Sequence, residues 1–250
     1  PYYRHSELTT ENRTYSIAGL KVLLSGGTTA SAITRLPGFP VFEESPRGDA
    51  DIIITTDRDI RPDTMKGVCL LHNYSVFGID HYFSSFNGGY LFELKREGER
   101  VAAIVYDPAG SHVIMSGCDC GLSLKFAAWV AYSIVAVGKG VIPIHASSVI
   151  KDGTAVLFLG ESGTGKSTHS RLWLRHIPDT YLLNDDCPLI YAGEGKPIVY
   201  GSPWSGKTDC YRQENAPLRA IVRLRQGPEN NIRPLSRLSS IGAVYPSCPP

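Results

Sequence analysis

The sequence carries almost no net charge: 25 Lys and Arg face 24 Asp and Glu over 250 residues, a formal +1. A chain this close to neutral lacks the surplus of cations with which a dedicated nucleic-acid binder neutralises phosphates, so nucleic acid is not an expected partner. It also lacks a metal-binding cysteine pattern. Six cysteines stand at 69, 118, 120, 187, 210 and 248; Cys118-Asp119-Cys120 is the one close pair, and no histidine or second pair completes a zinc spacing. In a chain far longer than a disulfide scaffold they read as reduced thiols. The polar start PYYRHSELTTENR holds no apolar signal core. No apolar run reaches the roughly 20 residues of a membrane span; the longest, residues 122–137, is broken by Lys125 and reads as a buried helix. Repeats and low-complexity tracts are missing as well. These absences point to a cytoplasmic protein with no membrane partner. What is present, 42% hydrophobic and 20% charged residues, is ordinary globular composition and excludes a disordered chain.

The two parts of the chain differ. Residues 1–140 carry 13 basic and 15 acidic side chains, whereas residues 141–250 carry 12 and 9. The first part reads as short strands at 15–24, 51–55, 90–94, 100–106 and 112–116, with turns at Asn87-Gly88-Gly89 and Arg96-Glu97-Gly98 and a proline-rich connection at 35–42. It contains no catalytic motif. Residues 1–118 are therefore expected to form a β-rich N-terminal domain, and residues 119–250 a separate one.

The second part holds the chemistry. Thr154–Leu159 is an apolar run of strand length, suited to a strand buried on both faces. It leads into Gly160-Glu161-Ser162-Gly163-Thr164-Gly165-Lys166-Ser167-Thr168, which matches the phosphate-binding P-loop G-x-x-x-x-G-K-[ST]; by chance the match would arise in roughly one chain of this length in a hundred. The glycines let backbone N–H groups close around phosphate oxygens, and the helix expected at 167–176 adds positive potential at its start. In such a loop Lys166 reaches the β and γ phosphates and the Ser167 hydroxyl ligates Mg²⁺. A second buried strand at 181–183 ends in Asn184-Asp185-Asp186. A strand–helix–strand unit runs parallel, so this acidic pair is expected on the same sheet edge as the loop. Two adjacent carboxylates suit two tasks, holding Mg²⁺ and accepting a proton from an attacking hydroxyl. His145, after the apolar segment 141–144, is expected near the same edge in a phosphate- or metal-contacting role.

Taken together, these residues resemble the HPr kinase/phosphorylase catalytic domain. In that family a histidine ends a strand, a G-x-S-G-x-G-K-S loop follows, and a strand ending in Asp-Asp comes shortly after; His145, the loop and Asp185-Asp186 stand in that order here. The wider layout is similar to stand-alone HPr-kinase-like proteins found beside peptide-modifying genes, with Tyr15-Ser16-Ile17-Ala18-Gly19-Leu20 as the opening motif and Leu36-Pro37 further on. Relatives of that layout run longer, so the chain is read as truncated at its C-terminus. The resemblance implies an α/β fold: a P-loop kinase core of the HPr kinase/phosphoenolpyruvate carboxykinase type with an N-terminal β-rich domain. It implies an ATP- and Mg²⁺-dependent kinase acting on a hydroxyl, often a serine of a protein or peptide. By carry-over, Lys166 and Ser167 bind phosphate and metal, Asp185 is the base and Asp186 the metal partner, with the two roles exchangeable. ATP-dependent phosphoenolpyruvate carboxykinase shares that core, and His145-Ala146-Ser147 fits it too. In that enzyme the histidine and an acid ligate a second metal.

The chain departs from the bifunctional HPr enzyme after the acidic strand. Where that family has a glutamate followed by Arg-Gly-x-Gly, this sequence reads Val199-Tyr-Gly-Ser-Pro-Trp-Ser-Gly-Lys207. Lys207 is expected to act as a mobile cation on the transferring phosphoryl group, and Trp204 either to close the site or to pack on the core. Arg223 and Arg225 read as a solvated face. Expected partners are a nucleotide and a peptide, protein or small hydroxyl-bearing acceptor; a homo-oligomer is left open. A small-molecule kinase, a carboxykinase-like enzyme and a nucleotide-dependent switch stay open as alternatives.

Overall fold

Alternating apolar and polar residues dominate the first half of the chain, and they build strands whose one face is buried. The computed structural model describes residues 3–4, 11–46, 48–76, 78–118, 121–206 and 208–248. Asp119, Cys120 and Lys207 lie outside them. The chain divides into two units, Pro1–Lys139 and Gly140–Pro250, and the protein is mixed α/β and rich in β-structure.

The first unit holds β1 (Tyr3–Arg4), β2 (Glu11–Ile17), β3 (Leu20–Gly26), α1 (Thr28–Thr34), α2 (Phe39–Phe42), β4 (Glu43–Glu44), β5 (Ile52–Thr55), β6 (Asp59–Ile60), β7 (Cys69–Val76), β8 (Ile79–Phe86), β9 (Gly89–Arg96), β10 (Glu99–Tyr106), β11 (His112–Met115) and α3 (Leu122–Ala136). Nine of these strands form one sheet in the order β4-β2-β3-β5-β11-β10-β9-β8-β7. The pairs β3–β5 and β5–β11 are parallel. The single strand expected at 15–24 is instead a hairpin, which reverses at Ala18 and Gly19, both at positive φ (51° and 78°). An Ala-Gly turn lacks the Asn-Gly or Asp-Gly signature that announces such reversals in a sequence.

Helix α3 accounts for the difference between the division at 139/140 and the expected one at 118/119. Its residues Leu124, Ala127, Ala128, Ala131, Tyr132 and Val135 are buried, it packs on β5, β10 and β11, and the Tyr132 hydroxyl donates to the Ile17 carbonyl at 3.2 Å. Among the described residues, Leu122–Lys139 is one stretch long and apolar enough to cross a membrane, and it is half buried within the protein.

The second unit holds β12 (Val141–Pro143), β13 (Ser147–Lys151), β14 (Thr154–Leu159), α4 (Lys166–His176), β15 (Tyr181–Asn184), β16 (Leu189–Tyr191), β17 (Ile198–Tyr200), β18 (Asn215–Arg223) and α5 (Arg237–Val244). Its seven strands order as β12-β16-β17-β18-β14-β13-β15. Strand β14 is apolar from Ala155 to Leu159, the part that is buried on both faces. Ala155, Leu157 and Leu159 join Ile144, Ile150, Leu183 and Val199 on one side. Val156 and Phe158 meet Val149 and Trp173 on the other, where the Phe158 and Trp173 rings meet edge to face at 5.4 Å. Truncating Phe158 to Ala would cost about 3–5 kcal/mol, the usual range for a fully buried aromatic ring.

Candidate active site

Strand direction gathers the site. β18 runs parallel to β14, and β13 lies between β14 and β15, antiparallel to both. The C-terminal ends of β14, β15 and β18 therefore share one edge, together with the start of β13. The acidic pair reaches the edge expected for it, although β13 separates its strand from the loop strand. At this edge stand Gly160 after β14, Asp185 and Asp186 after β15, Arg223 at the end of β18, Ser147 at the start of β13, and His145 two residues before it.

The loop after β14 turns tightly back on itself. Thr164 donates its hydroxyl to the Glu161 carbonyl at 2.8 Å, and a Cβ on Gly160 would meet that hydroxyl at 2.4 Å and the Leu224 carbonyl at 3.2 Å. Only glycine fits there. Lys166, the first residue of α4, donates its ammonium to the Gly160 carbonyl at 2.8 Å and approaches that of Glu161 at 3.4 Å, so it closes over its own loop. Burial holds the Lys166 ammonium below the usual lysine range; Asp186, Glu161 and Asp185 oppose that shift, and Arg223 adds to it. Ser162, Gly163 and Thr168 face solvent, while Ser167 is half-buried. Helix α4 is fixed from below by Phe158, whose ring lies 4.7 Å from that of His169.

The acidic pair is held by an asparagine. Asn184 is fully buried; its Oδ1 accepts from the backbone N–H of Asp186 at 2.9 Å and of Cys187 at 2.8 Å, forming the turn that presents both carboxylates. Its Nδ2 donates to the Trp204 carbonyl at 3.0 Å, tying the turn to the segment 201–206. Asp185 is 6% exposed, and its Oδ1 accepts from the Ser147 hydroxyl at 2.8 Å. The Ser147 oxygen lies 2.7 Å from that of Ser170 on α4. Because the single Ser147 proton goes to Asp185, Ser170 donates to Ser147, and its approach to the Lys166 carbonyl stays longer at 3.3 Å. A chain of two buried hydroxyls thus links the helix behind Lys166 to Asp185.

Asp186 is more open. Its Oδ1 stands 3.3 Å from Nδ1 of His145, which is itself exposed. Gly206 lies against it, since a Cβ there would come within 3.1 Å of the Asp186 Cβ. Trp204 is 3% exposed, so its indole packs inside the unit and does not stand over the cleft as a lid. Lys207 is outside the described residues. Arg223 does not lie on a solvated face: its side chain is 14% exposed and binds Glu161, the Ala243 carbonyl at 3.2 Å and the Ser247 hydroxyl at 3.1 Å. Beside the loop opens a wide groove of about 1520 Å³, whose lining includes Thr168, His169, Leu172, Arg225, Asn230 and Arg233. Cys69, Cys210 and Cys248 carry free thiols.

Sequence reasoning passed over Asn184 and Ser170 and undervalued Arg223. Asn184 had a local signal, an Asn preceding an acidic pair, which favours a side-chain-capped turn. Ser170 stands one helical turn after Lys166, a weak cue.

No family model matches the chain. Over 75 residues it is 36% identical to phosphoenolpyruvate carboxykinase (ATP) of Caldanaerobacter subterraneus subsp. tengcongensis, a stretch covering 30% of this chain and 13% of the carboxykinase. The chain therefore spans about an eighth of the length of the curated relative it matches.

Proposed function

We propose that this protein is a cytoplasmic kinase of the HPr-kinase-like type, moving the γ-phosphoryl group of ATP to a hydroxyl acceptor, a serine of a protein or peptide being the favoured class. The observation that carries the reading is the shared strand edge, where a lysine-bearing glycine loop faces two adjacent carboxylates fixed in different environments. The local likeness to an ATP-dependent carboxykinase agrees with the use of ATP. The triphosphate would lie along Gly160–Thr168 with its nucleoside in the adjoining groove.

The donor set suits Mg²⁺, a hard cation that takes few protein oxygens and keeps the rest of its shell from water and phosphate. Ser167 and Asp185 would hold it. Among the described residues no cluster of three or more His, Cys, Asp or Glu is ready to bind a metal unaided, which fits an ion that arrives with a nucleotide. Held there, the ion would supply neutralisation of charge on the β and γ phosphates.

The geometry favours the reverse of the carried-over roles. Asp185, buried and already accepting from Ser147 on one oxygen, is a fixed ligand with one oxygen left. Asp186, open to an entering acceptor, serves as the base. The acceptor oxygen bonds to the γ-phosphorus, the bond from that phosphorus to the ADP oxygen breaks, the acceptor proton passes to Asp186, and Lys166 stabilises the charge on the transferring group. The test is Mg²⁺ with γ-labelled ATP against serine peptides and small alcohols. Labelled product is expected with wild type and lost in Asp186→Asn, while Asp186→Asn still binds a non-hydrolysable ATP analogue. Wild-type signal no greater than that of Asp186→Asn across both acceptor classes overturns the reading.

A carboxykinase-like activity is the second reading, favoured by the 75-residue likeness. ATP consumption that requires oxaloacetate would select it.

A further inference from the structure

Among the described residues, Arg223 is a strongly tethered cation at this edge that the reaction just described leaves without a task. Register puts it directly beside Leu159, the residue before the loop, and Leu224 N–H donates to the Leu159 carbonyl at 2.8 Å, so the mouth of the loop and the end of β18 are joined by strand pairing. Its guanidinium is split between two duties. Nη1 donates to the Ala243 carbonyl and the Ser247 hydroxyl, which anchor the side chain from the C-terminal segment. Nη2 donates to Glu161, the second residue of the loop, whose carboxylate is 76% exposed. The same segment is fixed to the other side of the site, because His145 N–H donates to the Ser247 carbonyl at 2.7 Å.

The charges make this arrangement informative. A loop built to receive a polyanion carries a carboxylate at its mouth, and that exposed carboxylate is paired with an arginine. An incoming triphosphate repels Glu161 and attracts Arg223. The anchored half of the guanidinium keeps its place, and the half now on Glu161 has the planar donor geometry that phosphate oxygens accept.

We infer that Arg223 is a second phosphate-binding cation of this site, held by Glu161 in the empty loop and handed to the nucleotide's polyphosphate on binding. The inference rests on the nucleotide reading above. It makes Glu161 a placeholder whose exchange raises the threshold for nucleotide entry, and it couples phosphate binding to the segment 243–247.

The test is calorimetric titration of the whole chain with Mg²⁺ and either adenylyl imidodiphosphate or inorganic tripolyphosphate. Arg223→Gln should weaken both ligands by about tenfold or more, the scale of one charge-assisted contact. Glu161→Gln should tighten both by about threefold, the scale of a partly exposed ion pair that no longer has to break. In the double variant Glu161→Gln/Arg223→Gln the tightening should vanish. Tightening that persists in the double variant means that Glu161 acts by simple repulsion, and it overturns the handover. Both single variants within twofold of wild type overturn it as well, while leaving nucleotide binding intact. If wild type binds neither probe, the nucleotide reading and the inference fall together. Should Arg223→Gln lose its fold by circular dichroism, Glu161→Gln decides alone: its carboxylate is solvent-facing, and unchanged or weaker binding sinks the proposal.

Discussion

Each unit places aspartate in a turn just after a strand, and the two turns treat it in opposite ways. In the first unit Asp57, at a φ of 59°, is saturated. It accepts from Gly27 N–H at 2.9 Å, Thr29 N–H at 3.1 Å, and the hydroxyls of Thr29, Thr56 and Thr28 at 2.5, 2.7 and 3.3 Å. Burial alone would raise this carboxyl, but the hydrogen bonds from Thr29, Thr56 and Gly27 outweigh it and hold it below the usual aspartate value. In the second unit, among the described residues, one hydroxyl reaches Asp185 and the His145 ring approaches Asp186. A carboxylate with every lone pair used fixes a loop. One left with open oxygens in a rigid turn is equipped to bind or to react. Composition alone cannot separate the two, since both are short polar turns between apolar strands.

Exchanging the charge at each site breaks the comparison most directly. Asp186→Asn should lower phosphoryl transfer by about 10³-fold, within the span of general-base catalysis, with the thermal midpoint unchanged. Asp57→Asn should do the opposite. Leaving several donors without an ionised acceptor should destabilise its unit by about 2 kcal/mol, read by denaturant unfolding, with transfer activity held at wild-type level below the transition. Because the Asp57 carboxyl is depressed in the folded state, the wild-type advantage over Asp57→Asn should be complete above about pH 4 and shrink as pH falls through the folded value. Loss of activity in Asp57→Asn without loss of stability would erase the distinction.

These two turns also show what the sequence made readable. The strand, loop and helix around Gly160 stood out because the signals are contiguous: an apolar run, a fixed glycine spacing and a helix expected at 167–176. The acidic pair followed from strand direction alone. What stayed hidden depends on contacts between distant segments. The Asp57 cradle joins residues 27–29 to 56–57, and Ser147, Ser170 and Asp185 meet only after three elements have folded. Arg223 read as solvated because its anchors, Ala243 and Ser247, lie in a segment with no strong pattern of its own. Strands β16 to β18 went unmarked for a related reason, since they are short or largely exposed and show no clean alternation. Helix α3 was read correctly as a buried helix, but its sequence does not say which sheet it covers.

A milder change sharpens the contrast within the second unit. Ser147→Ala removes the one hydroxyl that, among the described residues, orients Asp185, and leaves Ser170 only the longer contact to the Lys166 carbonyl. It should lower kcat by about tenfold, on the scale of a lost hydrogen bond to a charged group, with KM for the acceptor unaffected. Ser147→Thr, which keeps the hydroxyl, should recover part of the loss. A change in KM alone would assign Ser147 to the acceptor pocket instead.

The smallest effect tests the site's electrostatics without any acceptor. In the free protein, burial and Arg223 hold the Lys166 ammonium below the ordinary lysine range. Phosphates placed on that ammonium favour its charged form and raise it again. Between the free and bound values, nucleotide binding must therefore draw a proton from solution, and apparent affinity must fall as pH rises through that window. Titrating the non-hydrolysable ATP analogue at a series of alkaline pH values, in two buffers of different ionisation enthalpy at each, should reveal net proton uptake that fades towards neutral pH. Lys166→Arg, whose guanidinium stays protonated throughout, should show none of it. No comparable uptake can come from Asp57, whose donors are all internal to its own turn and the one beside it. Equal uptake in wild type and Lys166→Arg would mean that another group titrates on binding and that Lys166 does not meet the phosphates.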